Sequence, residues 1–204
     1  MAACNELIRG IDPNCEATRK PGGLNKGLYL GLLSDLTAVT FGAGNLVTGF
    51  TFAEDKGFVK VIGKREKHNS AMTLEVGENF NLRNHAINAV IYYNTPQELE
   101  ALDAIIDVEG AFIVAETNAG ELEVWGVNKG ANFQNFGLKA ATIEGGSGTV
   151  ITDSNIYTLG MTGNHENLQL YFSGASENTL AQNIAALDDL VIWPVAPPES
   201  EPET

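Results

Sequence analysis

Side chains that carry chemistry are scarce in this chain. Its 204 residues include two cysteines, Cys4 and Cys15, and three histidines, His68, His85 and His165. No CxxC occurs and the histidines are scattered, so the spacing of a zinc site is absent. The two thiols are expected to be free and reduced, although spacing alone leaves a pairing across the short loop open. No uncharged apolar run approaches the roughly twenty residues of a membrane-spanning helix. The start, MAACNELIRGIDPNC, lacks a basic stretch followed by an apolar one. That predicts no secretory signal, and synthesis and folding in a cytoplasm. The signatures GxSxG, HExxH, the P-loop and a GxGxxG set between strand and helix are all missing. GGSG (Gly145 to Gly148) has no Lys after it and no apolar strand before it. It reads as a flexible loop rather than a phosphate cradle.

Basic residues are missing from the second half. Residues 1–93 hold ten Lys/Arg against nine Asp/Glu, whereas residues 94–204 hold two against seventeen, within a net charge of −14. An acidic half repels nucleic acid and anionic membrane and attracts basic partners. In the first half, Lys56, Lys60, Lys64, Arg65 and Lys67 crowd into twelve residues.

What is present belongs to a globular protein: 44% of residues are hydrophobic and 19% charged, enough for one domain with a real core. Residues 1–27, broken by DPN and KPGG, read as an N-terminal arm. Residues 28–192 read as a single β-rich domain. The Pro- and Glu-rich end, 193–204, reads as a flexible tail.

Strands are expected at GLYLGLL (27–33) and LVTGFTF (46–52), joined by a Gly- and Thr-rich connection. GFVKVIGKREKHNSAMTLEVG (57–77) alternates Val59 and Val61 against Lys60 and Lys64, then Met72, Leu74 and Val76 against Thr73 and Glu75. It reads as a long hairpin turning at HNS. A further strand over 79–94 places Ile87, Ala89, Ile91 and Tyr93 on one face. Thr95, Pro96 and Glu98 form a capping-box start to a helix, with Leu99, Leu102, Ile105 and Ile106 as its apolar stripe and Gly110 as its end. AFIVAE–TNAG–ELEVWG then makes a hairpin with Gly120 in the turn. One strand is expected within Leu138 to Ile143, another over NIYTLGMTG with Tyr157, Leu159 and Met161 alternating, and another over ENLQLYFSG with Leu168, Leu170 and Phe172. A second helix covers NTLAQNIAALDDLVIW, with Leu180, Ile184, Leu187 and Val191 spaced for one face. The fold class is mainly β with one or two helices, a β-sandwich or half-barrel with a flanking helix and a long hairpin extending from the core.

Candidate sites are few. His165 and Glu166 are adjacent, so in a strand they face opposite ways, and His165 reads as a turn histidine. Glu121 and Glu123 share a strand face, as a cation site or a glycosidase pair would require, but no third ligand or sugar platform accompanies them. A solvated hairpin face is the simpler reading. The basic run KVIGKREKH fits a nucleic-acid patch poorly in so acidic a chain. It fits a solvated hairpin, or a contact onto the acidic half of a neighbouring copy, and the last is preferred. Its members Lys56, Lys60, Lys64, Arg65 and Lys67 would then meet Glu98, Glu100, Asp103 and Asp107. Such a head-to-tail contact closes into a ring or grows into a filament. Glu75, Glu78, Glu116, Glu121 and Glu123 are the candidate solvent- or lumen-facing acids.

The order of elements, with TPQELEALDAI leading into GAFIVAETNAGELEVWG and a later YTLGMTG strand, resembles the tail tube (major tail) proteins of bacteriophages, especially those of Bacteroidota. The opening CNELIRGIDPNC…RKPGG is similar to an arm of such proteins, and the resemblance covers roughly residues 1–172. It implies a non-enzymatic virion component without cofactor or metal, made in the host cytoplasm. Its copies would close into hexameric rings and stack into a tube with an electronegative lumen, through which DNA passes unbound. Other tail proteins would be its partners, and no membrane is involved. The C-terminal helix and tail (179–204) and the Lys-rich strand have no place in that pattern. A head–tail connector, tail terminator or capsid decoration protein is the second reading, a carbohydrate-binding adhesin module the third, and a hydrolase using Glu121 and Glu123 the last.

Overall fold

Residues 111–115, AFIVA, are an unbroken apolar run, which as a strand must be buried on both faces. A computed structural model describes residues 22–62, 67–77, 81–92, 100, 103–129, 134, 137–146, 156–174 and 178–192. Among them the strands are β1 (Leu24–Leu32), β2 (Leu36–Phe41), β3 (Leu46–Phe52), β4 (Val59–Ile62), β5 (Asn69–Val76) and β6 (Asn81–Tyr92). There follow β7 (Glu109–Thr117), β8 (Leu122–Trp125), β9 (Leu138–Gly146), β10 (Ile156–His165) and β11 (Leu170–Phe172). Leu33–Asp35 is a 3-10 turn, residues 103–106 are helical, and helix α1 spans Leu180–Asp188. The fold is mainly β with helical segments, as the sequence leads one to expect.

The apolar run is the middle of β7, and all five of its residues are buried. Phe112 and Val114 enter one core with Phe50, Phe58, Leu122, Val124, Leu170 and Phe172. Ala111, Ile113 and Ala115 enter a second core with Leu28, Leu30, Ile87, Trp125, Leu138, Leu159 and Met161. Each large side chain so buried contributes about 1.5–3 kcal/mol before entropy is counted. The first core is aromatic: Phe58 meets Phe52 edge-on at 5.0 Å and Phe50 at 5.5 Å between ring centroids.

One edge of β7 carries β1 from Ala111 to Thr117. The other is divided, with β8 on Ile113 to Glu116 and β9 on Glu109 and Ala111. The sheet therefore forks. One branch runs β8–β11–β3–β2, the other β9–β10–β6–β5. The fork is built from glycines. Gly126, directly after β8, has φ +88°, and a Cβ there would lie 2.8 Å from the Ala111 carbonyl oxygen and 2.8 Å from Leu138 Cγ.

Several expected elements sit where the pattern placed them, including β3, the β7–β8 hairpin with Gly120 at φ +80°, and the core face of β6 and β10. Others need correction. Residues 57–77 do not form a hairpin: β4 pairs antiparallel with β1, and β5 pairs with β6. The Gly- and Thr-rich connection contains β2, paired with β3. Gly145 and Gly146 belong to β9 rather than to a loop. Leu168 is exposed, and β11 begins only at Leu170. The buried strand starts at Leu24, inside the stretch expected to be arm. The helix cap at Thr95, Pro96 and Glu98 lies outside the described residues, as do Ser147, Gly148 and the tail.

Helix α1 begins with a full capping box. Thr179 Oγ1 accepts from Gln182 N–H, and Gln182 Oε1 accepts from Thr179 N–H at 2.8 Å. Leu187 is fully buried, and Leu180, Ile184, Leu190 and Val191 pack on the aromatic core. Phe58 N–H donates to the Leu190 carbonyl at 2.8 Å, and Ile192 N–H to the Phe58 carbonyl at 2.9 Å. The C-terminal helix thus closes the first core.

Gly126→Ala combines a left-handed φ with a backbone collision at the fork. It is expected to destabilise the fold by about 2–4 kcal/mol, read from the midpoint of a denaturant melt.

Candidate assembly surface

The branch β9–β10–β6–β5 continues past the core and ends in two edges that are unpaired among the described residues. Among the described residues β5 pairs only with β6, and β9 from Ala140 onward pairs only with β10. Opposed residues share a face. The registers therefore place Met72, Leu74 and Val76 of β5, and Ile143 of β9, on the same face as Ile87, Leu159 and Met161. The inner members of this face are core. The outer ones face solvent: Leu74 is 58% exposed, Val76 75% and Ile143 38%. Apolar side chains thus run from the core to the β9 edge at Ile143 and reappear on the β5 edge, where Leu74 and Val76 stand opposite Arg83 and Asn81 of β6. Proteins that stay monomeric commonly guard such edges with Lys, Pro or bulges, yet β5 (NSAMTLEV) has neither Lys nor Pro.

The charged residues named from sequence fall in several places. Lys60 is held within its own chain. Its ammonium lies 2.5 Å from Asp188 Oδ1 and 5.0 Å above the Tyr29 ring, and Tyr29 OH donates to the same oxygen at 2.7 Å. Burial works against the Asp188 carboxylate, but the hydrogen bonds from Lys60 and Tyr29 outweigh it and hold that carboxyl below its usual range. Burial first, and then the bond to Asp188, raises the Tyr29 phenol. Lys60 therefore fastens α1 to the β1–β4 pair instead of standing free for a neighbour. Lys56 lies 4.0 Å from Asp35 at the surface, a contact of small energetic weight. Lys67, Glu75, Glu100, Asp103 and Asp107 are exposed, and Glu116 is half-buried. Lys64, Arg65, Glu78 and Glu98 lie outside the described residues.

Glu121 and Glu123 line one open cavity of about 220 Å³. Glu123 points inward rather than into solvent. Its carboxylate accepts from Trp125 Nε1 at 3.0 Å, Ser70 Oγ at 3.2 Å and Gln169 Nε2 at 3.3 Å. Burial raises this carboxyl, and the bonds from Trp125 and Ser70 oppose it. With three neutral donors on it, Glu123 acts as a tie between β8, the start of β5 and the 166–169 loop. Among the described residues no group of three or more His, Cys, Asp or Glu is arranged to hold a metal ion. Trp125 is 2% exposed and so offers no platform to a sugar. Trp193 lies outside the described residues.

The histidines are a feature that sequence spacing concealed. His165 is not in a turn. It ends β10, fully buried, and stacks on fully buried His85 with ring centroids 4.3 Å apart. Trp125 meets His85 edge-on at 5.0 Å. His85 Nε2 lies 3.1 Å from the Asn167 carbonyl, and His165 Nδ1 3.3 Å from Asn128 Oδ1. The pair thereby pins the loops at 126–129 and 166–169 where the extended branch leaves the core. The sequence carried no advance signal of this pair, which forms only once the register sets Gly163 opposite His85 and leaves room for His165 two residues on.

No known family matches this chain, and no curated protein or solved structure is significantly similar to it.

Burial pulls His85 down to about 4 and His165 to about 3, the neighbouring His85 lowering His165 further, and burial lowers His68 too. An unfolded imidazole titrates near pH 6.5, so between that pH and the folded values the unfolded chain holds more protons. Stability is therefore complete above about pH 6.5 and falls as the pH drops toward 4, by up to about 1.4 kcal/mol per pH unit for each histidine. Denaturant melts across this window are expected to show that slope, and His85→Gln to flatten it while lowering stability at pH 7.

Proposed function

We propose that the chain is a phage virion structural protein, a tail tube protomer whose copies pair edge to edge into rings that stack around a path for DNA. The observation that carries this reading is the pair of edges on the β9–β10–β6–β5 branch that have no partner strand among the described residues and that present Leu74, Val76 and Ile143 to solvent. Each neighbouring pair in this branch is antiparallel, so β5 runs antiparallel to β9. Copies related by rotation keep their strand direction. The β5 edge of one copy set against the β9 edge of the next therefore continues an antiparallel ladder. Such a heterologous contact closes into a ring when the rotation allows, and closure leaves no free edge. Leu74, Val76 and Ile143 would then lose their exposure to a neighbour.

The resemblance of the helix-to-hairpin unit and the YTLGMTG strand to tail tube proteins supplies the identity of the assembly, six copies to a ring, and its cargo. A connector, terminator or decoration protein would use the same edges in a single ring that does not elongate. Assembly through β5 and β9 also frees the basic run of the task given to it from sequence, since Lys60 already has its partner in Asp188.

Concentrated purified protein is expected to form uniform hollow tubes in negative-stain micrographs. Leu74→Glu with Val76→Glu should abolish them. Because both side chains are mostly exposed, each change should cost the protomer less than about 0.5 kcal/mol, measured by thermal unfolding. A protein that stays monomeric at every salt and concentration would refute the reading, and rings without elongation would favour the connector class.

A further inference from the structure

The branch β9–β10–β6–β5 has a second face, and its chemistry is unlike that of the rest of the chain. The registers set Asn69, Asn88, Gly160 and Thr142 in one rung across the four strands, and Thr73, Asn84 and Asn164 in another. Amide ladders link them: Asn88 Nδ2 donates to Asn69 Oδ1 at 2.9 Å, and Asn84 Nδ2 to Asn164 Oδ1 at 2.9 Å. Between these rungs lie Ala71, Ala86, Thr162 and Lys139. Gly160 keeps the middle flat, since a Cβ there would fall 2.4 Å from Thr142 Oγ1. Among the described residues the charged side chains on this face are Glu75, Lys139 and Glu144, in a chain of net charge −14.

We propose that this amide and hydroxyl face is the wall past which DNA moves, and that it escapes DNA by lacking cations rather than by being acidic. The proposal rests on the ring reading above. The opposite face of the branch packs on the body of the protomer through Ile87, Leu159 and Met161. A ring closed through β5 and β9 must carry those bodies outside, because they cannot fit within the barrel, so the amide face turns inward. Affinity for duplex DNA comes mainly from Lys and Arg that displace counterions from phosphate. Lys139 is the one cation this face offers among the described residues, and Glu144 and Glu75 offset it. Neutral amides and hydroxyls exchange hydrogen bonds with hydrated phosphate and with water on similar terms, which gives a wet surface without a binding site. Of the acids named from sequence as lumen candidates, only Glu75 lies here among those described. Glu121 and Glu123 are not on these strands but line a cavity bordered by Asn69 and Ser70 at the start of β5, and Glu116 is on β7.

Single cysteines test the direction of the face, in a background with Cys4 and Cys15 replaced by serine. In assembled tubes, Asn88→Cys and Thr162→Cys should react with a small maleimide but not with a polyethylene-glycol maleimide too large to enter a tube. Ala181→Cys, on the exposed side of α1, should react with both. Equal labelling of all three by the large reagent would overturn the proposal while leaving the tube intact. The charge claim has its own readout. Tubes assembled with short duplex DNA should retain none, and Asn84→Lys with Asn88→Lys should retain it with a log–log salt slope on the order of −1 per lysine engaged. Retention by the unaltered tube, or none by the lysine variant, would refute the wall as described. If no tubes form, the ring reading fails and this inference fails with it.

Discussion

The arrangement of the whole molecule depends on one strand with its backbone shared among three others. β7 gives one edge to β1 and divides the other between β8 and β9, while its side chains alternate between two cores. A strand in this position must be apolar through its middle, here residues 111–115, and it cannot tolerate an extra Cβ where its partners change. Gly126 meets that second requirement, with its Cβ position already occupied by the Ala111 carbonyl and Leu138. Everything beyond the fork inherits its direction from this point. One branch contributes to the aromatic core, and the other extends beyond the second core, where its edges have no partner among the described residues.

The two cores are closed in different ways. The aromatic one is sealed by α1, which is capped by Thr179 and Gln182 and fastened through Asp188 to Lys60 and Tyr29. A charge pair at that position is partly solvated, so its worth lies less in energy than in fixing where the helix ends. The other core grades from Ile87 and Met161 into the buried pair His85 and His165. Polar contacts with Asn128 and Asn167 then take over from apolar packing. Keeping two imidazoles neutral and stacked costs stability in acid. In return it holds two loops in register with the extended strands.

Local patterns in the sequence were readable wherever a residue's environment is set by its own strand. The alternation of Leu159 with Met161, the apolar run of β7, the turn at Gly120 and the stripe of α1 all follow from periods of two or 3.6. Pairing was not readable, because it is decided between segments far apart. Val59–Ile62 and Asn69–Val76 looked like two arms of one hairpin, yet their hydrogen bonds go to β1 and to β6. β2 was hidden because its four apolar residues, Leu36, Ala38, Val39 and Phe41, do not alternate with its two Thr, and half of its residues are exposed at the edge. The histidine pair was invisible for the same reason as β4: residues 85 and 165 meet only once β6 and β10 are aligned. Of the candidate surface, the apolar face of β5 was legible. What could not be read was that it would remain uncovered.

That exposure is informative because another edge, that of β4, is protected. β4 is short, carries Lys60, and has the segment after α1 laid against the residue before it through the Phe58 and Val191 bridge. β5 is eight residues long, has no Lys or Pro, and presents Leu74 and Val76 to water. A monomer gains nothing from leaving apolar side chains on a free edge, and an unguarded edge invites indiscriminate pairing. On the ring reading proposed above, the β5 edge stays open because the β9 edge of another copy is to occupy it, whereas β4 has no partner to come and is blocked. The contrast between β4 and β5, more than the exposure of any one residue, supports the proposal that the β9–β10–β6–β5 branch is completed by neighbouring copies.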